Sequence, residues 1–138
     1  MIRHLLVALT LIVFVRAAAA ADAPPAPPPN LATLGAALAG TWQSMSDPKL
    51  TREFDTDGKT VERYEGDESA TTPGRWMLFL GKLPPAGLAG HTFLPNVVYV
   101  RLEQNGDVLL FALVGLSRSD MKMVYLERGN VLSFARLK

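Results

Sequence analysis

Asn105-Gly106, set between two apolar alternating runs, is the strongest short hairpin signal in the chain and constrains what surrounds it. A two-residue type I′ loop there pairs Glu103 with Val108, Leu102 with Leu109, Val100 with Phe111 and Val98 with Leu113. Side chains alternate across a strand, so these apolar pairs share one face. The other face carries Tyr99, Arg101 and Glu103 and is expected to see more solvent. Turn residues recur at Ser117-Arg118-Ser119-Asp120 and at Arg128-Gly129-Asn130. Residues 96–138 therefore read as four antiparallel strands, 96–103, 108–116, 121–127 and 131–137. A type II′ loop at Gly129-Asn130 would pair Tyr125 with Phe134 and Met123 with Arg136.

Upstream, residues 30–39 read as a short helix, with Asn30 as N-cap, Gly40 just past its end, and Leu31, Leu34 and Leu38 at helical spacing. Strands are expected at 41–45, 50–55, 59–65 and 74–80, with a polar loop over 66–73 and a long irregular stretch over 81–95. Around Thr56-Asp57-Gly58, a two-residue loop would set Glu53 against Glu62 and Arg52 against Arg63. A three-residue loop with Gly58 in the left-handed region sets Arg52 against Glu62 and Leu50 against Tyr64. Like charges directly opposed are unfavourable, so the three-residue loop is expected. Eight strands joined mostly by tight turns form an antiparallel meander, which hides its edges by closing into an up-and-down barrel. A two-sheet sandwich is the alternative.

The N-terminal 21 residues have the form of a secretory signal peptide. Arg3 is basic, residues 5–15 are apolar but too short to span a bilayer, and alanines fill 17–21. Residues 22–30, rich in proline, read as an extended spacer, leaving 31–138 as one domain in the periplasm or outside the cell. Without Arg3 and Arg16 the fourteen basic residues fall to twelve, against thirteen acidic ones. This near-neutral balance does not point to nucleic acid, and no membrane span is expected after signal cleavage. The absence of cysteine removes disulfides, thiolate metal sites and a cysteine nucleophile.

Gly40-Thr41-Trp42 resembles the Gly-x-Trp signature of lipocalins. Asp57-Gly58, Gly74-x-Trp76, Leu116-Ser117-x-Ser119-Asp120 and Gly129-Asn130-x-Leu132-x-Phe134-x-Arg136 look like the small bacterial secreted lipocalin-like families. The chain is shorter than full-size lipocalins and lacks a counterpart of their Thr-Asp-Tyr signature. The resemblance implies an all-β, eight-stranded lipocalin-like barrel with a short N-terminal helix. It also implies a structural contact in which Trp42 plugs the closed end beneath Arg136.

Chemistry-bearing constellations are sparse. His91, in the long loop, has no companions at metal-ligand spacing, and no nucleophile elbow exists. The acids between Glu53 and Glu68 interleave with Arg52, Lys59 and Arg63, as on a solvated face, and match no calcium loop. Met77, Met121 and Met123 read as adaptable core packing. No catalytic residue, metal or cofactor is expected. Arg52, Phe54, Glu62 and Tyr64 share a face of the second hairpin. Inward, that face and Phe111 would line a pocket for a small, mainly apolar ligand; outward, it would be a surface pair with an exposed ring. The expected function is non-enzymatic binding of such a ligand. The alternative is an envelope interaction protein or hydrolase inhibitor that meets a protein partner through residues 81–95.

Overall fold

A computed structural model describes residues 29–138. The expected signal peptide, and the spacer up to residue 28, lie outside the described residues. A helix, α1 (Leu31–Leu38), leads into β1 (Gly40–Ser44), β2 (Leu50–Phe54), β3 (Lys59–Tyr64), β4 (Asp67–Leu80), β5 (Val98–Gln104), β6 (Asp107–Leu116), β7 (Asp120–Tyr125) and β8 (Val131–Arg136). Each strand pairs antiparallel with the next, and β1 pairs with β8, closing an eight-stranded barrel. Closure leaves no edge strand unpaired.

Local chemistry sets the elements where the turn residues are decisive. The Asn30 side chain accepts from the Thr33 amide at 3.2 Å and caps α1. Gly58 lies at φ 82°, and the resulting three-residue loop pairs Arg52 with Glu62 and Leu50 with Tyr64. Asn105-Gly106 pairs Glu103 with Val108, Leu102 with Leu109 and Val100 with Phe111.

Four expectations need correction. Residues 67–73 are not a loop but the first half of β4, because Glu65-Gly66 is itself the turn. Along β4, exposed positions alternate with half-buried ones from Ala70 to Leu78, the burial pattern of a strand with one face inward. The β7–β8 register differs too. Phe134 faces Met121 and Leu132 faces Met123, rather than Tyr125 facing Phe134 and Met123 facing Arg136. The turn is wider than two residues, with the Tyr125 amide donating to the Asn130 carbonyl and the Gly129 amide to the Tyr125 carbonyl. The slip is even, so every side chain keeps its face. Tyr99 is 4 % exposed rather than solvated, because residues 81–97 fold over the outer face of β4–β6. Met77 is on that outer wall and exposed, not in the core.

The main core lies inside the barrel. Leu38, Trp42, Phe54, Val100, Leu102, Phe111, Met121, Met123 and Phe134 are all buried there. A second cluster, Phe79, Leu88, Tyr99 and Leu110 with Phe93, lies outside the wall beneath the long loop. Phe93 meets Phe79 and Tyr99 edge-on at 5.1 and 4.9 Å, and the Tyr99 hydroxyl accepts from the Leu94 amide at 2.9 Å.

Candidate functional site

The barrel has two unlike ends. α1, the 55–58 turn, the 81–97 loop and the 117–119 turn gather at one; the 45–49, 65–66, 105–106 and 126–130 turns gather at the other. The α1 end is plugged. Trp42 is fully buried and donates its indole N–H to the Leu38 carbonyl at 2.8 Å. The Arg136 guanidinium carbon stands 4.2 Å from the Trp42 ring centroid. Its Nε donates to the Arg118 carbonyl at 2.7 Å, one terminal nitrogen to Ala39 at 2.8 Å and the other to Ala37. One side chain thus ties helix α1, the β6–β7 turn and β8 together. Trp76 supports the plug from β4, with its indole N–H on the Asp55 carbonyl at 2.8 Å and its ring edge-on to Phe54 at 5.3 Å.

Midway along the interior lies Arg52. It points inward because Phe54, two residues on, is a core residue, and its own side chain is 7 % exposed. It forms an ion pair with Glu62, whose side chain is 26 % exposed. The guanidinium carbon lies 5.6 Å from the Phe111 ring centroid and 5.8 Å from that of Phe134, inside the range of cation–π attraction. Its Nε and Nη1 are buried with no hydrogen-bond partner among the described residues.

Toward the end away from α1, inner-wall residues are less completely buried. Leu109, Tyr125 and Leu132 pack against the barrel core yet are only half-buried. Glu62 and its cross-strand partner Thr72 continue that wall, and Tyr64 stands at the rim, 36 % exposed. Tyr125 donates its hydroxyl to Glu127, and that hydrogen bond raises its phenol pKa above the ordinary value.

The structure therefore brings Arg52, Phe54, Glu62 and Phe111 inward, with Arg52, Glu62 and Phe111 in contact through the guanidinium. It leaves Tyr64 at the rim, apart from the buried group. Phe134 belongs with Arg52 and was not singled out from sequence. Its signal was alternation, since Leu132, Phe134 and Arg136 occupy one face of the last strand. His91 is exposed and stacks on Phe93 at 6.1 Å. No group of three or more His, Asp or Glu side chains converges on a metal-sized site among the described residues. Outside the barrel, an apolar groove of about 520 Å³ runs between α1 and the β6–β7 turn, lined by Leu34, Ala37, Leu116 and Arg136. No described helix is long and apolar enough to cross a membrane.

No family model, curated protein or solved structure matches the chain.

Proposed function

We propose that this is a secreted or periplasmic, non-enzymatic binding protein that holds a small, mainly apolar molecule in the barrel, entering from the end away from α1. The observation that carries the reading is the half-buried state of Leu109, Tyr125 and Leu132. They pack against the interior core and are only partly covered at the end away from α1, where a ligand would enter. An apolar wall with a few polar groups, here Arg52, Glu62 and Gln104, is the usual composition of a small-molecule site, and an eight-stranded barrel is just wide enough for side chains to fill or for one small ligand. The plugged α1 end gives the barrel a floor.

The test is binding of Nile red, an uncharged apolar dye, followed by its blue shift. The wild type is expected to bind, and Leu132→Glu to weaken binding at least about tenfold, because it places a carboxylate on the apolar wall. A wild type that binds no apolar probe overturns the reading. The interaction reading then takes its place. Its specific support is Leu83 and Leu94, 72 % and 65 % exposed on a loop whose base is pinned by Leu88, Phe93 and Tyr99.

A further inference from the structure

The loop over residues 81–97 covers Phe79 and Tyr99 on the outer wall, and the same wall continues beyond it. Met77 stands opposite Arg101 in the next row, and Arg75 opposite Glu103 in the row after. Two open clefts lie there side by side, of about 210 and about 410 Å³. Arg75 and Glu103 line both, so the clefts form one trench that runs from Met77 to Val108, both exposed. Its charges are unevenly matched. On its other side Arg75 is directly opposite Lys59, a like-charge pairing that is unfavourable in a sheet. The acids of this face are already engaged. Glu53 meets Arg63 at 2.9 Å, Glu103 meets Arg101 at 2.6 Å, and Asp55 accepts from the Asp57 amide. Among the described residues, neither Arg75 nor Lys59 forms an ion pair. Arg101 Nε is also buried without a hydrogen-bond partner, where a buried N–H is normally matched.

We propose that this trench is a docking surface for an extended, acidic segment of a partner protein, with an aspartate or glutamate carboxylate between Arg75 and Arg101 and apolar side chains against Met77 and Val108. The surface does not depend on whether the barrel holds a ligand. Arg75 and Arg101 are diagonal neighbours across β4 and β5, and such positions, about 7–8 Å apart, let two long side chains reach one group. A guanidinium takes a carboxylate through two parallel N–H bonds, which supplies orientation as well as affinity. Glu103 stands beside both arginines, so a doubly charged phosphate fits less well than a single carboxylate. A small molecule is normally buried over about 70–90 % of its surface, and a trench walled by exposed side chains does not enclose one. An extended segment laid along the wall needs no such enclosure, and it turns alternate side chains toward the wall.

The experiment titrates the full chain with three end-blocked peptides, Leu-Ser-Asp-Ser-Leu, Leu-Ser-Asn-Ser-Leu and Leu-Ser-Lys-Ser-Leu, and follows the arginine Nε–H resonances by NMR. When extended, each peptide presents its first, third and fifth side chains on one side. The aspartate peptide is expected to shift the Arg75 and Arg101 resonances and to bind at least about tenfold more tightly than the other two. Arg75→Gln, at an exposed position where the barrel tolerates the change, is expected to lower that affinity about tenfold. Arg118→Gln, exposed on the turn beside α1, is expected to leave it unchanged. No shift with the aspartate peptide, equal affinity for the aspartate and asparagine peptides, or an affinity that Arg75→Gln leaves intact overturns the proposal. Acetate that shifts the same resonances at the same concentrations also overturns it, because the trench then takes any free carboxylate. The aspartate peptide is expected to leave Nile red in place; displacement of the dye puts the peptide inside the barrel and overturns the docking site.

Discussion

Arg136 and Trp42 are direct cross-strand partners on the two strands that close the barrel, and the arginine lies over the indole. Closure depends on this pair because β1 is short and meets β8 over only three residue pairs. The guanidinium then reaches past the sheet to carbonyls of Ala37, Ala39 and Arg118. Arg136→Ala removes a cation–π contact of about 0.5–2 kcal/mol and three charge-assisted hydrogen bonds. A stability loss of about 2–4 kcal/mol by urea denaturation is expected. Arg136→Lys, which keeps the charge but loses the fork, should recover less than half of it.

Trp42→Ala is expected to cost about 3–5 kcal/mol, a large share of the roughly 5–15 kcal/mol total for a domain. Trp42→Phe keeps the ring but loses the N–H to Leu38 and should cost less. Denaturation of both variants checks this. A loss below about 1 kcal/mol for the alanine variant would mean that the α1 end is not plugged by Trp42.

Gly40 stands between helix and barrel at φ 133°, and a Cβ there would collide with Arg136 Nη1. That nitrogen is held by the Ala39 carbonyl, so it cannot swing aside freely. Gly40→Ala combines backbone strain with displacement of Arg136, and a loss of about 2 kcal/mol or more is expected. In Arg136→Ala the collision is gone, so the two substitutions should cost less together than the sum of each alone; a double-mutant cycle measures this.

Much of the barrel was legible where a turn residue admits one geometry. Asn105-Gly106 and Gly58 each set a register, and those registers placed Val100, Leu102 and Phe111 together and Arg52 beside Glu62. The β7–β8 register was not legible, because it depends on contacts outside the hairpin. Arg136 is drawn past the start of β7 by carbonyls of α1 and the β6–β7 turn, while the Gly129 region widens to accommodate it. The extension of β4 hid behind polar residues, since a strand with a mouth on one face and solvent on the other carries little apolar signal. Tyr99 was misread because local alternation does not register a loop that folds back over the outer wall. Of the site, the sequence showed which side chains share a face. That Arg52 retains unmatched donors emerged only from the packing around it.

The loop over residues 81–97 is held to the wall in part by one hydroxyl. Tyr99→Phe removes the hydrogen bond from the Leu94 amide but keeps the stacked ring of Phe79 at 5.4 Å. Global stability should fall by only about 0.5–1.5 kcal/mol. Limited proteolysis within residues 81–97 should speed up several-fold, because local opening is governed by the contacts of the loop itself. Unchanged cleavage would show that the aromatic packing of Phe93 suffices to hold it.

The Arg52–Glu62 pair supplies the last prediction. Removing one partner of a buried pair strands the other charge, at about 3–5 kcal/mol in a dry interior. Glu62 is a quarter exposed, so water reaches its side of the pair and the cost of Glu62→Ala should fall lower, at about 2–4 kcal/mol. Arg52→Met with Glu62→Met removes both charges and fills the space with flexible apolar chains, so the double variant should be more stable than Glu62→Ala. That order, measured by urea denaturation, separates a pair kept for stability from one kept for recognition. A double variant as stable as the wild type means that the fold does not need Arg52. A Glu62→Ala loss below about 0.5 kcal/mol would mean that water solvates the guanidinium freely and that Arg52 is not the buried group described above.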